Sequence, residues 1–412
     1  MLRLFHLGLL ACLTAAAVLA DTPTFRPPEA RVAELVAEID RKGRDPVDFV
    51  LAEFGAADLI VFDEGLHNAV EPWAFYGKLV ADARFAAQAR YVFIEVIPYN
   101  AQGAIDAYLD AADDDPSLLW PALQAALETG WSYRTYVDFF AAVRRANEST
   151  SKDRRIRVIG VAPAAYWPLI ATHEDYVRYR RDGFAPFDEG LYARILMHLD
   201  GFESGRKGIF LTNTRHAYTG LKRKDGNFFW NAGTYFRQRH PGKTRSIRFN
   251  APFLEVKDAG SEKGPTLGSI SKGAVYGWTR ADGGAWDAAF ALRGDKAVAL
   301  PLVGTVFGTA PYLGNQMLSA APGQTLADVY DAVIHLRRLE DWRQSARETR
   351  LYTPAFRREV ARRLKLKHLE SELDGVLKEA GVATVEAYVG LVGSRQDEVP
   401  LGPAQTLPPL AP

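Results

Sequence analysis

The stretch DLIVFDEGLH at residues 58–67 joins a run of apolar side chains to a group of ionisable ones. Leu59–Phe62 has the continuous apolar character of a buried strand, and Asp63, Glu64 and His67 follow it closely. In an open α/β sheet, ligands bind in the crevice outside the carboxyl ends of the strands. The stretch therefore predicts a functional site immediately after a buried strand.

A helix-capping interpretation of the same residues is also available. Asn68, followed three residues later by Glu71, has the spacing of a capping box, and His67 would then be only a polar turn residue. That interpretation does not explain why Asp63 and Glu64 close an apolar strand, where a buried charge needs a partner. We therefore favour the functional interpretation, in which His67 acts as a general base near neutral pH and Glu64 orients it.

Two later strands also end in ionisable residues. Glu95 lies near the end of the apolar run Tyr91–Val96, and Arg215 and His216 follow the strand Gly208–Thr212. Each residue alone has an ordinary explanation, a solvated strand end for Glu95 and a structural role for His216. Gathered at one edge of a sheet, they could share acid–base chemistry or hold a metal, and Arg215 could clamp an anionic group.

Strand and helix patterns alternate along most of the chain, which predicts an α/β fold with a mainly parallel sheet flanked by helices. The predicted strands are 59–62, 91–96, 157–161, 208–212, 245–249, 297–303 and 330–335. The predicted helices are 31–42, 72–90, 101–111, 118–128, 133–147, 189–202 and 232–239, with a charged helical pair at 356–383. The glycine- and serine-rich piece 250–286 interrupts this alternation, and we expect an excursion or a hairpin there.

Composition narrows the class of protein. The 412 residues are 48% apolar, enough for a sizeable core and unlike a disordered chain. Fifty basic residues balance fifty acidic ones, which argues against a nucleic-acid or anionic-membrane binder. The sequence contains no Gly-x-Ser-x-Gly elbow, phosphate loop or Gly-x-Gly-x-x-Gly motif, which disfavours a serine hydrolase or nucleotide enzyme.

The N-terminal residues have the character of a secretory signal peptide. One arginine precedes the short apolar run Leu7–Ala20, which ends in small residues before Asp21. Cys12 is the single cysteine, and we disfavour lipid anchoring there because the apolar stretch before it is short. Cleavage after Ala20 would leave a mature chain without cysteine, in the periplasm or outside the cell, and no other segment predicts a membrane span.

These residues resemble those of the erythromycin esterase-like family, within a wider group that includes ChaN-like haem-binding lipoproteins and Tiki-type proteases. The family's Gly-Glu-x-x-His turn corresponds to Asp63–His67, and its second strand ends on a glutamate, as in Phe93–Glu95. Further matches are the aromatic helix start and Arg-x-x-Asn within 131–147, the loop 213–216, the segment 230–236 and the closing strand 330–334. The resemblance covers about residues 58–336.

The chain departs from the family pattern at four positions, one of which is the turn after His67, where the family's arginine is missing. Asp63 stands where the family has glycine, and Asn213 stands where the esterases carry another histidine. Ala162 follows its strand where an aspartate is expected. Polar partners of the family's site are therefore replaced here.

The resemblance implies a secreted hydrolase of the erythromycin esterase-like type, which cleaves an ester or related acyl bond of a small molecule. His67 would activate water, Glu64 would orient His67, and Glu95 would assist. His216, together with Arg215, would stabilise the developing oxyanion or protonate the leaving group. No cofactor is expected for this activity.

Two alternatives stay open. The chain could be a periplasmic haem- or metal-binding protein without catalysis, with His67 and His216 as ligands, or a Tiki-like metal-dependent protease. A metal site would use carboxylate and imidazole ligands, which suit zinc or manganese. Its candidate ligands are Asp63, Glu64, His67, Glu95 and His216.

We expect four segments along the chain. These are a signal peptide at 1–20, an erythromycin esterase-like α/β domain at 21–352, a helical extension at 353–399 and a disordered, proline-rich tail at 400–412. The sequence does not predict the substrate or the oligomeric state.

Overall fold

The structure, a computed structural model, describes residues 26–183, 186–258, 275–314, 318–394 and 397–410. The predicted signal peptide and Cys12 lie outside the described residues. The strands are β1 Leu59–Asp63, β2 Tyr91–Pro98, β3 Arg157–Ala162, β4 Gly208–Thr212, β5 Thr244–Phe249, β6 Phe253–Asp258, β7 Val275–Thr279, β8 Val298–Pro301, β9 Ala332–His335, β10 Arg343–Gln344 and β11 Val399–Pro400.

The α-helices begin and end at the following residues. They are α1 Glu29–Lys42, α2 Pro46–Glu53, α3 Val70–Ala81, α4 Ala83–Gln88, α5 Gln102–Asp110, α6 Trp120–Ala125, α7 Arg134–Glu148, α8 His173–Arg178, α9 Phe187–His198, α10 Thr214–Ala217, α11 Ala232–Arg239, α12 Ala285–Ala291, α13 Leu326–Val329, α14 Pro354–Lys367, α15 Glu370–Glu379, α16 Val385–Val392 and α17 Gly402–Gln405. In the described part of the chain, no helix is long and apolar enough to cross a membrane.

The central element is a seven-stranded sheet with the order β3-β2-β4-β1-β5-β9-β8. The pairs β1–β5, β2–β3 and β5–β9 are parallel, and β8 joins β9 in the antiparallel direction. Its seven strands are the seven that the sequence predicts, with ends that differ by at most two residues. The predicted α/β fold with a mainly parallel sheet flanked by helices is confirmed.

The predicted interruption after β5 contains a hairpin in its described part. Strands β6 and β7 pair in the antiparallel direction, with Phe253 opposite Thr279. The hairpin interpretation is therefore confirmed for the described strands.

The described chain divides into two compact units. The first contains residues 26–72, the described part of 211–344, and 400–410. Its core includes the face of α1 that carries Val32, Leu35 and Ile39, packed in one cluster with Trp286 and Phe290 of α12. The spacing of these α1 residues is that of one helix face, which is why the sequence predicts the helix.

The second unit contains 73–210 and 345–399, in their described parts. Helix α7 buries Tyr136, Phe139 and Phe140, and the Tyr136 ring packs against Trp73 with centroids 3.9 Å apart. At the end of α7, the Asn147 side chain exchanges two hydrogen bonds with the backbone of Ile156, of 2.9 and 2.7 Å. Asn147 therefore fixes the chain just before β3.

Two predictions about local structure are wrong. The single helix expected at 72–90 is two helices, because Asp82 ends α3 and accepts the Arg84 backbone N–H at 2.9 Å as the N-cap of α4. The tail expected to be disordered is ordered over 400–410. Leu401 donates its backbone N–H to Trp342, and the Pro408 carbonyl accepts a bond from Arg280.

Candidate functional site

The candidate site begins where β1 ends. Glu64 is buried and His67 is 20% exposed at its side chain, and Nδ1 of His67 contacts the Glu64 carboxylate. Gly65 between them has φ +72°, a conformation that favours glycine. A Cβ on Gly65 would lie 2.8 Å from the Cβ of Ala251, so the turn has no room for a side chain. The structure therefore contains the Glu64–His67 pair that the spacing predicts.

The other ring nitrogen of His67 faces Asn213. The Asn213 side-chain nitrogen Nδ2 lies 2.6 Å from Nε2 of His67. Asn213 is the N-cap of α10, and its Oδ1 accepts the backbone N–H of Arg215 at 2.9 Å. Because Oδ1 is used by the cap, the amide nitrogen is the atom that faces the imidazole.

These contacts assign the tautomer of neutral His67. An amide nitrogen only donates, so Nε2 must supply its lone pair to Asn213. The ring proton then resides on Nδ1 and is donated to Glu64. A carboxylate that orients an imidazole in this way leaves Nε2 as the proton-accepting atom.

Asp63 lies beside this pair but has a different environment. Its Oδ1 accepts the Gly65 backbone N–H at 2.8 Å and the Thr214 hydroxyl at 2.9 Å. Its Oδ2 accepts the Tyr330 hydroxyl at 2.6 Å and an N–H of Arg248. Four donors therefore converge on one buried carboxylate, which ties the turn after β1 to the start of α10.

Arg248 is the cation of this network. It lies in register with Asp63 on the neighbouring strand β5, and its guanidinium is 4.0 Å from the centroid of the Phe253 ring. Burial is the largest single influence and acts to lower the pKa of Arg248, but Asp63, Tyr330 and Tyr312 together outweigh burial and raise that pKa. Burial, followed by the charge of Asp63, also holds the pKa of Tyr330 well above its ordinary value. Arg248 is therefore charged and Tyr330 is a neutral donor.

Arg215 and His216 directly follow β4, as predicted, but they lie in the short helix α10 and not in a loop. The Arg215 carbonyl accepts a 3.0 Å hydrogen bond from the side chain of Asn231, which caps α11. Gly233 in α11 comes so close to α10 that a Cβ there would lie 2.6 Å from the Ala217 carbonyl oxygen. The His216 side chain is buried. The chemical roles of Arg215 and His216 stay predictions.

Glu95 belongs to the second unit and is buried in β2. The register of β2 with β3 shifts between Ile94 and Pro98, and Glu95 lies in that irregular stretch. Its predicted role as a partner of Glu64 and His67 stays a prediction.

The residues proposed as metal ligands do not form a recognisable metal centre. Among the described residues, no three His, Cys, Asp or Glu side chains are grouped in a way that could hold a metal ion. Asp63, one of the candidate ligands, directs its two oxygens to Arg248, Tyr330, Thr214 and the Gly65 backbone instead.

Glu71, which the capping interpretation pairs with Asn68, lies in the first turn of α3. This helix begins at Val70, and both Glu71 carboxylate oxygens accept the backbone N–H of Arg343, at 3.1 and 3.2 Å. Glu71 therefore anchors the start of β10.

A second buried polar cluster lies at the ends of β5 and β9. Asn250 donates from Nδ2 to Asp287 at 2.9 Å, and the same nitrogen lies 3.4 Å from Nδ1 of His335. Arg280 donates to Asp287 at 3.0 Å. Burial lowers the pKa of His335 to about 3 and raises the pKa of Asp287. The imidazole of His335 is therefore neutral here.

Sequence reasoning missed Thr214, Arg248 and Tyr330 as members of the site. A signal for Arg248 was present, because it is a charge between the apolar residues Ile247 and Phe249 of a predicted strand. Asn213 appeared only as a departure from a family pattern, and its contact with His67 depends on the folded chain.

Comparison with known proteins gives likenesses of structure only. No protein-family model and no curated protein match the sequence. A mutant erythromycin esterase in its open conformation is 9% identical, with a TM-score of 0.47 over 76% of this chain and 97% of that chain. A succinoglycan biosynthesis protein is 10% identical, with a TM-score of 0.44 over 75% of this chain and 98% of the other.

A Bacillus cereus protein is similar to the same degree, at 11% identity and a TM-score of 0.43 over 75% of this chain and 99% of its own. With TM-scores below 0.5, these likenesses assign the chain neither to a family nor to an activity.

Proposed function

We propose that this protein is a secreted or periplasmic hydrolase of the erythromycin esterase-like type, which cleaves an ester or related acyl bond with water activated by His67. The observation that carries the proposal is the contact between the Glu64 carboxylate and Nδ1 of His67 at the carboxyl end of β1. This arrangement leaves Nε2, which faces Asn213, as the proton-accepting nitrogen and stabilises the imidazolium that forms when Nε2 takes a proton.

The proposed reaction proceeds through one activated water. Nε2 of His67 accepts a proton from water as the water oxygen bonds to the acyl carbon, and the carbonyl oxygen becomes an oxyanion. The carbon–oxygen bond to the alcohol then breaks, and the leaving alkoxide takes a proton from His67 or from His216. Arg215 would stabilise the oxyanion, and Glu95 would assist.

The buried state of Glu64 favours this role. Glu64 is 1% exposed, and a carboxylate held away from water interacts more strongly with an imidazolium than a solvated carboxylate does. Asp63 contributes by position, because its four hydrogen bonds fix the turn that carries Glu64 and His67.

The experiment is hydrolysis of a panel of simple esters by the protein, compared with His67→Ala and with a control variant, His240→Ala. His240 is a partly buried histidine after α11, outside the pair. We expect His67→Ala to lower kcat about 10²–10⁴-fold, as loss of a general base does, and His240→Ala to leave the rate unchanged.

Each assay is repeated with a chelator. Turnover that is indifferent to chelator supports the proposed reaction, and turnover lost with chelator would assign the chemistry to a metal. Equal rates for the protein and His67→Ala would overturn the proposal.

A further inference from the structure

We propose that Asn213 masks the proton-accepting nitrogen of His67 in the resting site, and that an acyl oxygen of the ligand unmasks it by taking over the Asn213 N–H. The first part, the masking of Nε2 by Asn213, is argued from the geometry of this chain alone. The second part, the exchange of the Asn213 N–H from Nε2 to an acyl oxygen, rests on the proposed function.

The Asn213 carboxamide is held in place by its own helix. Its Oδ1 caps α10 through the Arg215 N–H, and its backbone carbonyl accepts from His216 and Ala217 at 3.0 and 3.1 Å. The next residue, Thr214, accepts a 2.8 Å bond from Arg248 and donates to Asp63. The cap therefore holds the amide nitrogen on the side of His67 in the resting site.

Nε2 of His67 has a single lone pair in the plane of the ring. Because the Asn213 amide nitrogen Nδ2 lies 2.6 Å from Nε2, its N–H engages that lone pair, and a water molecule cannot donate to it at the same time. The base is therefore present and correctly oriented, yet its accepting atom is covered. Because the His67 side chain is 20% exposed, a ligand or reagent can still approach it.

The mask is weak enough to be exchanged. One neutral hydrogen bond contributes a small net free energy, and an N–H bond to an anionic oxygen is roughly twice as strong. An acyl oxygen that becomes negative in the transition state is thus a better acceptor for Asn213 than the imidazole is. When the Asn213 N–H changes its acceptor from the imidazole to the acyl oxygen, Nε2 becomes free and the oxyanion gains a hydrogen-bond donor.

Two substitutions separate masking from a merely structural role. Asn213→Ser and Asn213→Asp both keep an oxygen that can cap α10. Serine lacks the amide and is shorter, so it uncovers Nε2. Aspartate replaces the donor by a carboxylate, which draws a proton onto Nε2.

The measurement is the rate at which diethyl pyrocarbonate, which modifies unprotonated imidazole nitrogen, labels His67 in the full chain at neutral pH. Labelling is located by mass spectrometry, with His240 as the internal standard. We expect Asn213→Ser to raise the His67 rate about two- to tenfold, the factor that corresponds to one neutral hydrogen bond, and Asn213→Asp to lower it.

Opposite signs for the two variants support masking, because a loosened loop would move both rates in the same direction. Equal labelling of the protein and Asn213→Ser, or the same direction for both variants, would overturn it. Circular dichroism confirms that both variants are folded.

Turnover tests the exchange. If the Asn213 N–H serves the oxyanion, Asn213→Ser lowers kcat about 10²-fold with KM little changed, although His67 is labelled faster. A serine variant that turns over faster than the protein would overturn the exchange. Absence of ester turnover by the unsubstituted protein would overturn both the proposed function and the exchange. The labelling rates would still test the masking of His67, because they do not depend on turnover.

Discussion

Arg248 and Asp63 face each other across β5 and β1 and form an ion pair that is closed to solvent, with side chains 3% and 0% exposed. The carboxylate also holds the Gly65 N–H and the Thr214 hydroxyl. A single buried charge pair therefore connects the strands of the sheet with both loops that carry the His67–Asn213 contact.

Removal of the cation should destabilise the protein strongly. Arg248→Met leaves Asp63 as an uncompensated buried carboxylate, which costs about 3–5 kcal/mol of unfolding free energy. Chemical denaturation measures the change.

The control is the same substitution in an exposed pair. Arg293 pairs with Asp40 at the surface, where both side chains are 40% or more exposed. Arg293→Met should change the denaturation midpoint little, because exposed ion pairs contribute little. An Arg248→Met variant as stable as Arg293→Met would contradict the assignment of a buried pair.

The turn before His67 should not accept a side chain. Gly65→Ala forces alanine to φ +72° and brings its Cβ against Ala251, so we expect a loss of at least about 1–2 kcal/mol and reduced activity. Gly103→Ala is the matched control, because nothing lies within 4 Å of a Cβ at that position in α5. Thermal unfolding compares the two, and an equal effect of both would argue against a strained turn.

Local patterns predicted much of this molecule. Six strands of the sheet were visible because each contains a continuous apolar run between turn or helix signals, whereas in β5 Ile247 and Phe249 alternate with polar residues. Helix α11 was predicted to the residue. The Glu64–His67 contact was also predictable, because the two residues are three positions apart and a turn brings them together.

Contacts between distant residues were beyond local patterns. Arg248 and Asp63 are separated by 185 positions, and their pairing depends on the register of β1 with β5. Asn213 and His67 are 146 positions apart, and the amide is aimed by a helix cap. The C-terminal prolines suggested disorder, but residues 400–410 are held by Trp342 and Arg280, which local composition does not reveal.

Acid should destabilise the first unit through His335. Its ring stacks on Phe290 with centroids 4.1 Å apart, and burial lowers its pKa from 6.5 to about 3. The unfolded chain takes a proton below pH 6.5 while the folded chain does not. The stability that His335 contributes is therefore full above pH 6.5 and falls by up to about 1.4 kcal/mol per pH unit as the pH drops towards 3.

Denaturation at a series of pH values checks this, with His335→Gln and Phe290→Leu. In the glutamine variant, the unfolding free energy should lose the His335 contribution to its pH dependence between pH 6.5 and 4, because glutamine has no group to protonate. The leucine variant removes the stacked ring but retains the imidazole. Its unfolding free energy should therefore still fall as the pH drops. Asp295, 3.7 Å from Nε2 of His335, and Asp287 titrate nearby, so the difference between variants is the quantity to compare.

Glu128 should produce a second loss of stability, at lower pH and in the second unit. Burial alone would raise the pKa of Glu128, but the Lys367 ammonium at 3.2 Å and the Tyr176 hydroxyl at 2.6 Å outweigh it and hold that pKa at about 2. The folded pKa lies below the ordinary value of 4.5, so the stabilisation is present above pH 4.5 and is lost as the pH falls towards 2.

Because this window lies below most of the His335 window, the two groups can be distinguished in one titration. Glu128→Gln should flatten the stability curve between pH 4.5 and 2 and leave the slope above pH 4.5 unchanged. Lys367→Met should raise the pKa of Glu128 and shrink the acid loss, because the largest attraction on the carboxylate is gone. A curve for Lys367→Met that still falls as steeply as that of the unsubstituted protein would mean that the ammonium does not hold Glu128 charged.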